Sequence, residues 1–185
     1  MTKVYAFISN GMEEVECLAV CDILLRAGYD VKLVSIAGNK TVRGAHGFKI
    51  EADMSFEEVK EEADLLFLPG GMPGTTHLRE HEGLRELLLS HHKEGKRIAA
   101  ICAAPSVLGS LGIAEGRRVT CFPGFEGEMK GSIVTEDPME VVITDGNITT
   151  ARGMGAAFDL GLELVRLYSG EETARTMKSD IQYVR

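Results

Sequence analysis

Cys102 carries the strongest chemical signal in the sequence, because it stands between two predicted elements. Residues 97–101 form a run that is apolar after Arg97 and typical of a buried strand, and residues 103–111 follow the pattern of a helix that accommodates Pro105 in its first turn. At such a turn, free backbone NH groups and the positive end of the helix dipole lower the pKa of a cysteine. The sequence therefore predicts a nucleophilic thiol. The alternative is that Cys102 is a small buried apolar residue.

Two glycines end a second predicted strand and can face the same ligand. Residues 64–68 form a predicted strand that is continuously apolar after Asp64 and leads through Pro69 into Gly70 and Gly71. Glycine allows the backbone NH groups to turn towards a ligand, because it accepts the required dihedrals and has no side chain in the way. Together with the NH group of Ala103, they predict an oxyanion-binding site. A tight turn without a ligand is the alternative.

Three glutamates open the first predicted helix, and the sequence assigns them different roles. Glu13 and Glu14 are predicted to complement the helix dipole. Glu16 stands among apolar neighbours, Val15 and Cys17, so we expect it to be buried against the end of the sheet. Burial would raise the pKa of Glu16 and let it share a proton with a nearby thiolate.

These residues need a fold that gathers the ends of several strands. Apolar strands alternating with helices predict an α/β fold, a flavodoxin-like three-layer sandwich with a mostly parallel central sheet and helices on both faces. A site in such a sheet lies beyond the carboxyl ends of its strands. The predicted strands are residues 4–9, 29–36, 64–68, 97–101, 119–122, 133–135, 140–144 and 147–151, with a hairpin over 41–50. The predicted helices are residues 12–27, 55–62, 83–94, 103–111, 154–168 and 171–178.

The composition limits the compartment and the classes of partner. The 185 residues include 20 basic and 28 acidic side chains, a formal net charge of −8, which disfavours nucleic acid and anionic membranes. Four cysteines are too few for a disulfide scaffold and suit a reducing compartment. Since no apolar run approaches the ~20 residues of a membrane span, we expect a cytoplasmic protein. No linker or repeat divides the sequence, so residues 1–185 are predicted to form a single domain.

Five motifs in this order resemble the ThiJ/PfpI superfamily, close to the branch that contains the parkinsonism-associated protein deglycase. The motifs are Glu-Glu-Val-Glu at 13–16, Leu-Arg-Ala-Gly at 25–28, Leu-Pro-Gly-Gly at 68–71, Ala-Ile-Cys-Ala-Ala-Pro at 100–105 and Thr-Ala-Arg-Gly at 150–153. The resemblance covers essentially the whole chain, and it implies a fold like that of class I glutamine amidotransferases.

The resemblance also implies a mechanism. Cys102 would be the nucleophile and redox-sensitive thiol, Glu16 its protonated hydrogen-bond partner, and the backbones of Gly70, Gly71 and Ala103 the oxyanion site. No cofactor is implied. The expected substrate is a small dicarbonyl or a glycated protein, and the branch is similar in forming homodimers. The alternative function is a redox-sensing chaperone whose cysteine is oxidised to sulfinic acid, with little turnover.

The chain departs from the superfamily at two positions that matter for chemistry. The PfpI protease branch carries a histidine directly after the cysteine, where this chain has Ala103, which disfavours a protease. The deglycase branch carries a histidine before the proline that is Pro123 here, and this chain has Phe122 instead. His46 stands where that branch tends to have an arginine. It is a candidate auxiliary base.

Three further patterns suggest other sites less strongly. Residues 77–81 match the H-x-x-E-H pattern of some zinc proteases, but no third ligand suggests itself. Cys17 and Cys21 lie four apart on one helix face and lack the second pair of a structural zinc site. Residues 153–155 form half of a dinucleotide fingerprint. We therefore expect no metal site and no bound nucleotide.

Overall fold

A parallel sheet forms the centre of the computed structural model, which describes residues 1–184. The strands are β1 (Lys3–Ile8), β2 (Asp30–Ser35), β3 (Thr41–Arg43), β4 (Lys49–Glu51), β5 (Met54–Ser55), β6 (Leu65–Leu68), β7 (Arg97–Ile101), β8 (Arg118–Val119), β9 (Ile133–Val134), β10 (Val142–Asp145) and β11 (Ile148–Ala151). Within this part of the chain, the main sheet has the order β10-β11-β7-β6-β1-β2-β5. Its neighbouring strands are parallel except for the antiparallel pair β10 and β11.

Helices cover both faces of this sheet. They are α1 (Glu14–Arg26), α2 (Gly74–Glu80), α3 (Glu82–Lys93), α4 (Pro105–Ser110), α5 (Ala157–Ser169) and α6 (Glu171–Asp180). Buried side chains of α1, α5 and α6 share one apolar cluster, and those of α2, α3 and α4 share a second. The α/β prediction of a mostly parallel sheet between two helical layers is confirmed. Across residues 1–184, no helix is long and apolar enough to span a bilayer.

Strand β1 shows why the apolar runs of the sequence are continuous. Val4, Ala6 and Ile8 pack into the cluster of α1, whereas Tyr5 and Phe7 pack into the cluster on the opposite face. Because side chains of a strand alternate between faces, a strand covered on both sides must be apolar at every position. The sheet therefore holds the carboxyl ends of β1, β6 and β7 in a rigid, doubly covered layer.

The structure differs from the sequence prediction in several short elements. Residues 55–62 were predicted as a helix but contain only a 3₁₀ turn at Phe56–Glu58, where Glu58 accepts the backbone NH of Ser55 as a capping box requires. The strand predicted at 119–122 ends at Val119, in a separate pair with β9. The sequence pattern does not predict helix α2, because Pro73 and Gly74 are typical of a turn. The predicted hairpin is confirmed as β3 and β4.

Close packing of α5 fixes the position of α1, which carries Glu16. A Cβ atom added to Gly161 of α5 would lie 2.7 Å from Cδ1 and 3.0 Å from Cβ of Ile23 on α1. Only a glycine allows the two helices to approach this closely.

We expect Gly161→Ala to lower the free energy of unfolding by about 1–2 kcal/mol, because overpacking of the helix contact outweighs the better helix propensity of alanine. Denaturant unfolding of the variant beside wild type measures this change. Gly127→Ala is the matched control, since its added Cβ would meet nothing within 4 Å. Unchanged stability of Gly161→Ala would show that α1 and α5 can separate without cost.

Candidate active site

Three neighbouring strands deliver the predicted site residues to one edge of the sheet. Strand β1 leads into α1 and Glu16, β6 ends before Gly70 and Gly71, and β7 ends before Cys102. The order β7-β6-β1 places these ends side by side. The chain reverses its winding direction between β6 and β1, the point at which open α/β sheets form their crevice.

Cys102 is held in an unusual backbone conformation. Its φ of +66° lies in the left-handed region, which costs a non-glycine residue about 1–2 kcal/mol. Hydrogen bonds on both sides stabilise it: its NH donates to the carbonyl of Ala151 at 2.9 Å, and its carbonyl accepts from the NH of Phe122 at 2.8 Å. Among the four cysteines, Cys102 alone is not buried. The turn therefore leaves Cys102 partly exposed at this edge of the sheet.

Glu16 lies directly beside this thiol. Its side chain is only 1% exposed, and its Oε2 atom accepts the NH of Gly70 at 2.9 Å. Burial raises the pKa of Glu16 to about 7, even though hydrogen bonds with Cys102 and Gly70 act in the opposite direction. The predicted burial of Glu16 and its contact with Cys102 are thus present in the structure.

The acidity of Cys102 corrects a sequence expectation. Burial, followed by the charge of Glu16 and the hydrogen bond with it, raises the pKa of Cys102 to about 12. The backbone NH groups of Ala103 and Gly71 do lower the pKa of this thiol, but by less. The expected helix dipole is weak here, since α4 begins only at Pro105 and has six residues.

Cys102 and Glu16 consequently act as one titrating pair. While Glu16 is ionised, its charge and hydrogen bond keep the proton on the sulfur. Once the proton lies on Glu16, that repulsion is gone and the NH groups of Gly71 and Ala103 favour the thiolate. Strongly interacting groups of this kind share their protons as a pair. The arrangement can generate a nucleophile and a protonated acid in a single internal transfer.

The two glycines after β6 make room for this pair. A Cβ atom on Gly70 would lie 2.6 Å from both the Cβ of Cys102 and the Oε2 of Glu16. Gly71 has a φ of +88°, and a Cβ there would lie 2.3 Å from the backbone nitrogen of Glu13. Glycine is required at both positions, since any side chain would displace the site.

His46, the candidate auxiliary base, lies at a different point. It occupies the turn between β3 and β4, where its Nδ1 atom is 3.1 Å from Glu14 Oε2 and 3.5 Å from Glu13 Oε1. None of its hydrogen bonds or ion pairs within residues 1–184 involves Cys102 or Glu16. A role for His46 as a base at Cys102 stays a prediction.

The remaining candidates have structural partners. Phe122 is half exposed, and a Cβ atom added to Gly153 would lie 3.2 Å from its ring. His77 contacts Ser9 Oγ and the carbonyl of Asn10, while His81 caps α3 by accepting the NH of Leu84 at 3.1 Å. The two histidines of the H-x-x-E-H pattern thus have separate partners, His77 at the end of β1 and His81 at the start of α3. An aromatic ring takes the place of the missing histidine beside the crevice.

The raised pKa of Glu16 predicts a pH dependence of stability. Glu16 ionises near pH 4.5 in the unfolded state and near pH 7 in the folded state, so its contribution to stability is fully present below pH 4.5 and is lost as pH rises through 7. This loss amounts to about 3 kcal/mol. Glu16→Gln should lack this contribution, so the difference in unfolding free energy between it and wild type should change by that amount between pH 4.5 and 8. Denaturant unfolding of both proteins, in buffers that contain a chelator, measures this difference in unfolding free energy. A difference that stays constant with pH would contradict a raised pKa of Glu16.

Comparisons of sequence and structure with known proteins identify relatives along most of the chain. The model of the DJ-1/PfpI family matches residues 2–167. "Protein dj-1beta" of Drosophila melanogaster is 33% identical over 166 residues, covering 89% of this chain and 88% of that protein. "Glutathione-independent glyoxalase DJR-1.2" of Caenorhabditis elegans is 34% identical over 166 residues, covering 89% and 87%. The solved structure of oxidised Toxoplasma gondii DJ-1 superposes with a TM-score of 0.94 at 30% identity over all of both chains. The chain belongs to the DJ-1/PfpI family.

Proposed function

We propose that this protein is a cofactor-free enzyme in which Cys102 attacks reactive dicarbonyls or their adducts, as a glyoxalase or deglycase does, in defence against carbonyl and oxidative stress. The observation that carries the proposal is the half-buried thiol in contact with the nearly inaccessible Glu16 carboxyl group. The glyoxalase name of the Caenorhabditis elegans relative supports the same class of reaction.

The first chemical step is addition of sulfur to an aldehyde. The Cys102 Sγ bonds to the aldehyde carbon of methylglyoxal while the C=O π bond breaks, and the oxygen takes the proton that Glu16 holds. The product is a hemithioacetal. We expect the NH groups of Gly71 and Ala103 to donate to the oxygen as its negative charge develops, and their contact with the Cys102 sulfur supports this role.

Proton transfer then completes the internal redox change. The Glu16 carboxylate removes the proton from the former aldehyde carbon and gives an enediolate, in which the hydroxyl proton passes to the former ketone oxygen. Glu16 then gives its proton to the former ketone carbon. The aldehyde carbon is thereby oxidised and the ketone carbon reduced, which leaves a thioester of lactate on Cys102. Water cleaves that thioester and restores the thiol. The net reaction adds one water to methylglyoxal and needs no external oxidant, reductant or cofactor.

The same site can act on a dicarbonyl already attached to a protein amine or thiol. In that case the Cys102 Sγ bonds to the adduct carbon while the C–N or C–S bond to the protein breaks, and the leaving amine or thiol takes the proton that Glu16 holds. The product is the same hemithioacetal, so the remaining steps are unchanged. The proposal also includes a homodimer. Val15, Leu18 and Leu25 form an exposed apolar stripe on α1, whose opposite face is buried.

We expect Cys102→Ala to abolish the conversion of methylglyoxal to lactate. Glu16→Gln should lower kcat by about 100-fold or more, because glutamine keeps the shape of the side chain but cannot transfer a proton. Lactate formation measured against methylglyoxal loss tests both. Cys121→Ala is the matched control, since it removes a buried thiol outside the site and should retain full activity. An unchanged rate in Cys102→Ala would exclude catalysis through this cysteine.

A second function, redox sensing, is favoured by the accessibility of a single thiol. Cys17, Cys21 and Cys121 are buried, and only Cys102 is not. We expect mild peroxide to add oxygen first at Cys102, as sulfenic and then sulfinic acid. Peptide mass spectrometry over a peroxide series measures the order of oxidation. Earlier oxidation of any of the other three cysteines would contradict a sensing role.

A further inference from the structure

We infer that Glu13, Glu14 and His46 form a binding site for a divalent transition-metal ion, with zinc as the best match. Each residue offers one ligand atom, and the three atoms lie within 4.8 Å of one another. Among residues 1–184, no other group of three or more histidine, cysteine and carboxylate side chains converges in this way. Its ligands do not include Cys102 or Glu16, and the inference does not depend on the proposed reaction.

The carboxylates are already oriented as a ligand set. One oxygen of each is held by the backbone: Glu13 Oε2 accepts the NH of Glu16 at 3.0 Å, and Glu14 Oε1 accepts the NH groups of His46 and Phe48 at 2.9 and 3.3 Å. The other oxygen of each faces the Nδ1 atom of His46. Such outer hydrogen bonds fix the direction of metal ligands and reduce the cost of assembling a site.

The charge of the cluster is compensated unevenly: backbone NH groups and His46 stabilise the Glu14 carboxylate, whereas one oxygen of Glu13 has only His46 as a close partner among residues 1–184. Glu13 and Glu14 are 9% and 4% exposed, and within the described chain no lysine or arginine nitrogen lies within 4 Å of either carboxylate. Glu13 Oε1 accepts no hydrogen bond from residues 1–184. It is aimed at His46 Nδ1, 3.5 Å away. Buried carboxylates of this kind are usually paired or bound to a metal.

The donor set and the spacing select the class of ion. One imidazole nitrogen with two carboxylate oxygens suits zinc and related transition metals better than calcium or magnesium, which prefer oxygen ligands. With zinc bonds of roughly 2.0–2.1 Å, two ligands of a tetrahedral site lie about 3.3 Å apart. The separations from His46 Nδ1, 3.1 Å to Glu14 Oε2 and 3.5 Å to Glu13 Oε1, are close to that value. Three protein ligands leave the fourth position for water or another ligand.

The ion would fasten the hairpin of β3 and β4 to the start of α1. The two segments already touch: Ala45 NH donates to the carbonyl of Met12 at 2.7 Å, and a Cβ atom on Gly44 would lie 2.2 Å from the carboxyl carbon of Glu14. Binding requires the neutral imidazole to turn its Nδ1 lone pair to the metal in place of a proton shared with Glu14. The proton then resides on Nε2, at the exposed edge of the ring.

Calorimetric titration of the chelator-treated full chain with Zn²⁺ alone tests the inference. We expect one equivalent to bind, with at least a 10-fold weaker Kd in His46→Gln and in Glu14→Gln, which keep the side-chain volume but remove a ligand. Zinc should raise the Tm of wild type and have little effect on the Tm of either variant. His77→Gln is the matched control, because it removes an imidazole outside the cluster and should bind zinc as wild type does.

The same protein loaded with Co²⁺ identifies the ligands by a second measurement. A spectrum of nitrogen and oxygen coordination without sulfur-to-cobalt charge transfer supports the site, whereas a charge-transfer band would place the ion on a cysteine and overturn it. Absence of stoichiometric binding, or an unchanged Kd in His46→Gln, would also overturn it. Lactate formation by the metal-free enzyme is measured separately, so loss of one proposal leaves the other standing.

Discussion

The buried contact between Glu16 and Cys102 is the constraint on which the rest of the site depends. A carboxyl group that is almost inaccessible to water holds its proton up to about pH 7. The thiol beside it cannot ionise freely while that carboxyl group is charged. Proton transfer between the two therefore decides when a nucleophile exists. A solvent-exposed glutamate would leave the two groups independent, and the thiol would have no acid beside it.

The fold builds this contact from rigid parts. The carboxyl ends of β1, β6 and β7 meet at one edge because these strands are parallel neighbours. Gly70 then allows Cys102 and Glu16 to approach where any side chain would separate them. The left-handed conformation of Cys102 is held by hydrogen bonds to Ala151 and Phe122, so the strain is sustained by the surrounding sheet and loop.

Three glutamates within four positions have three different fates, and burial and partners explain each. Glu13 caps α1 by accepting the NH of Glu16. Although burial favours the neutral acid, backbone hydrogen bonds and His46 lower the pKa of Glu14, which stays ionised beneath the hairpin. Glu16 faces Gly70 and Cys102 instead, with burial as its dominant influence. The first of these glutamates thus caps α1, the second binds the hairpin of β3 and β4, and the third contacts the reactive thiol.

The sequence by itself determined the fold class and the residues of the crevice. Continuous apolar strands require cover on both faces, and the segments that follow them carry Glu16, Gly70, Gly71 and Cys102. Tertiary structure decided the energetics: the net acidity of Cys102 depends on burial and on a carboxylate 86 positions away in the chain. Tertiary structure also decided that His46 lies against Glu13 and Glu14. The local sequence of the hairpin does not indicate that it packs over the start of α1. Charge balance and desolvation arise from through-space neighbours, which periodicity and local motifs do not encode.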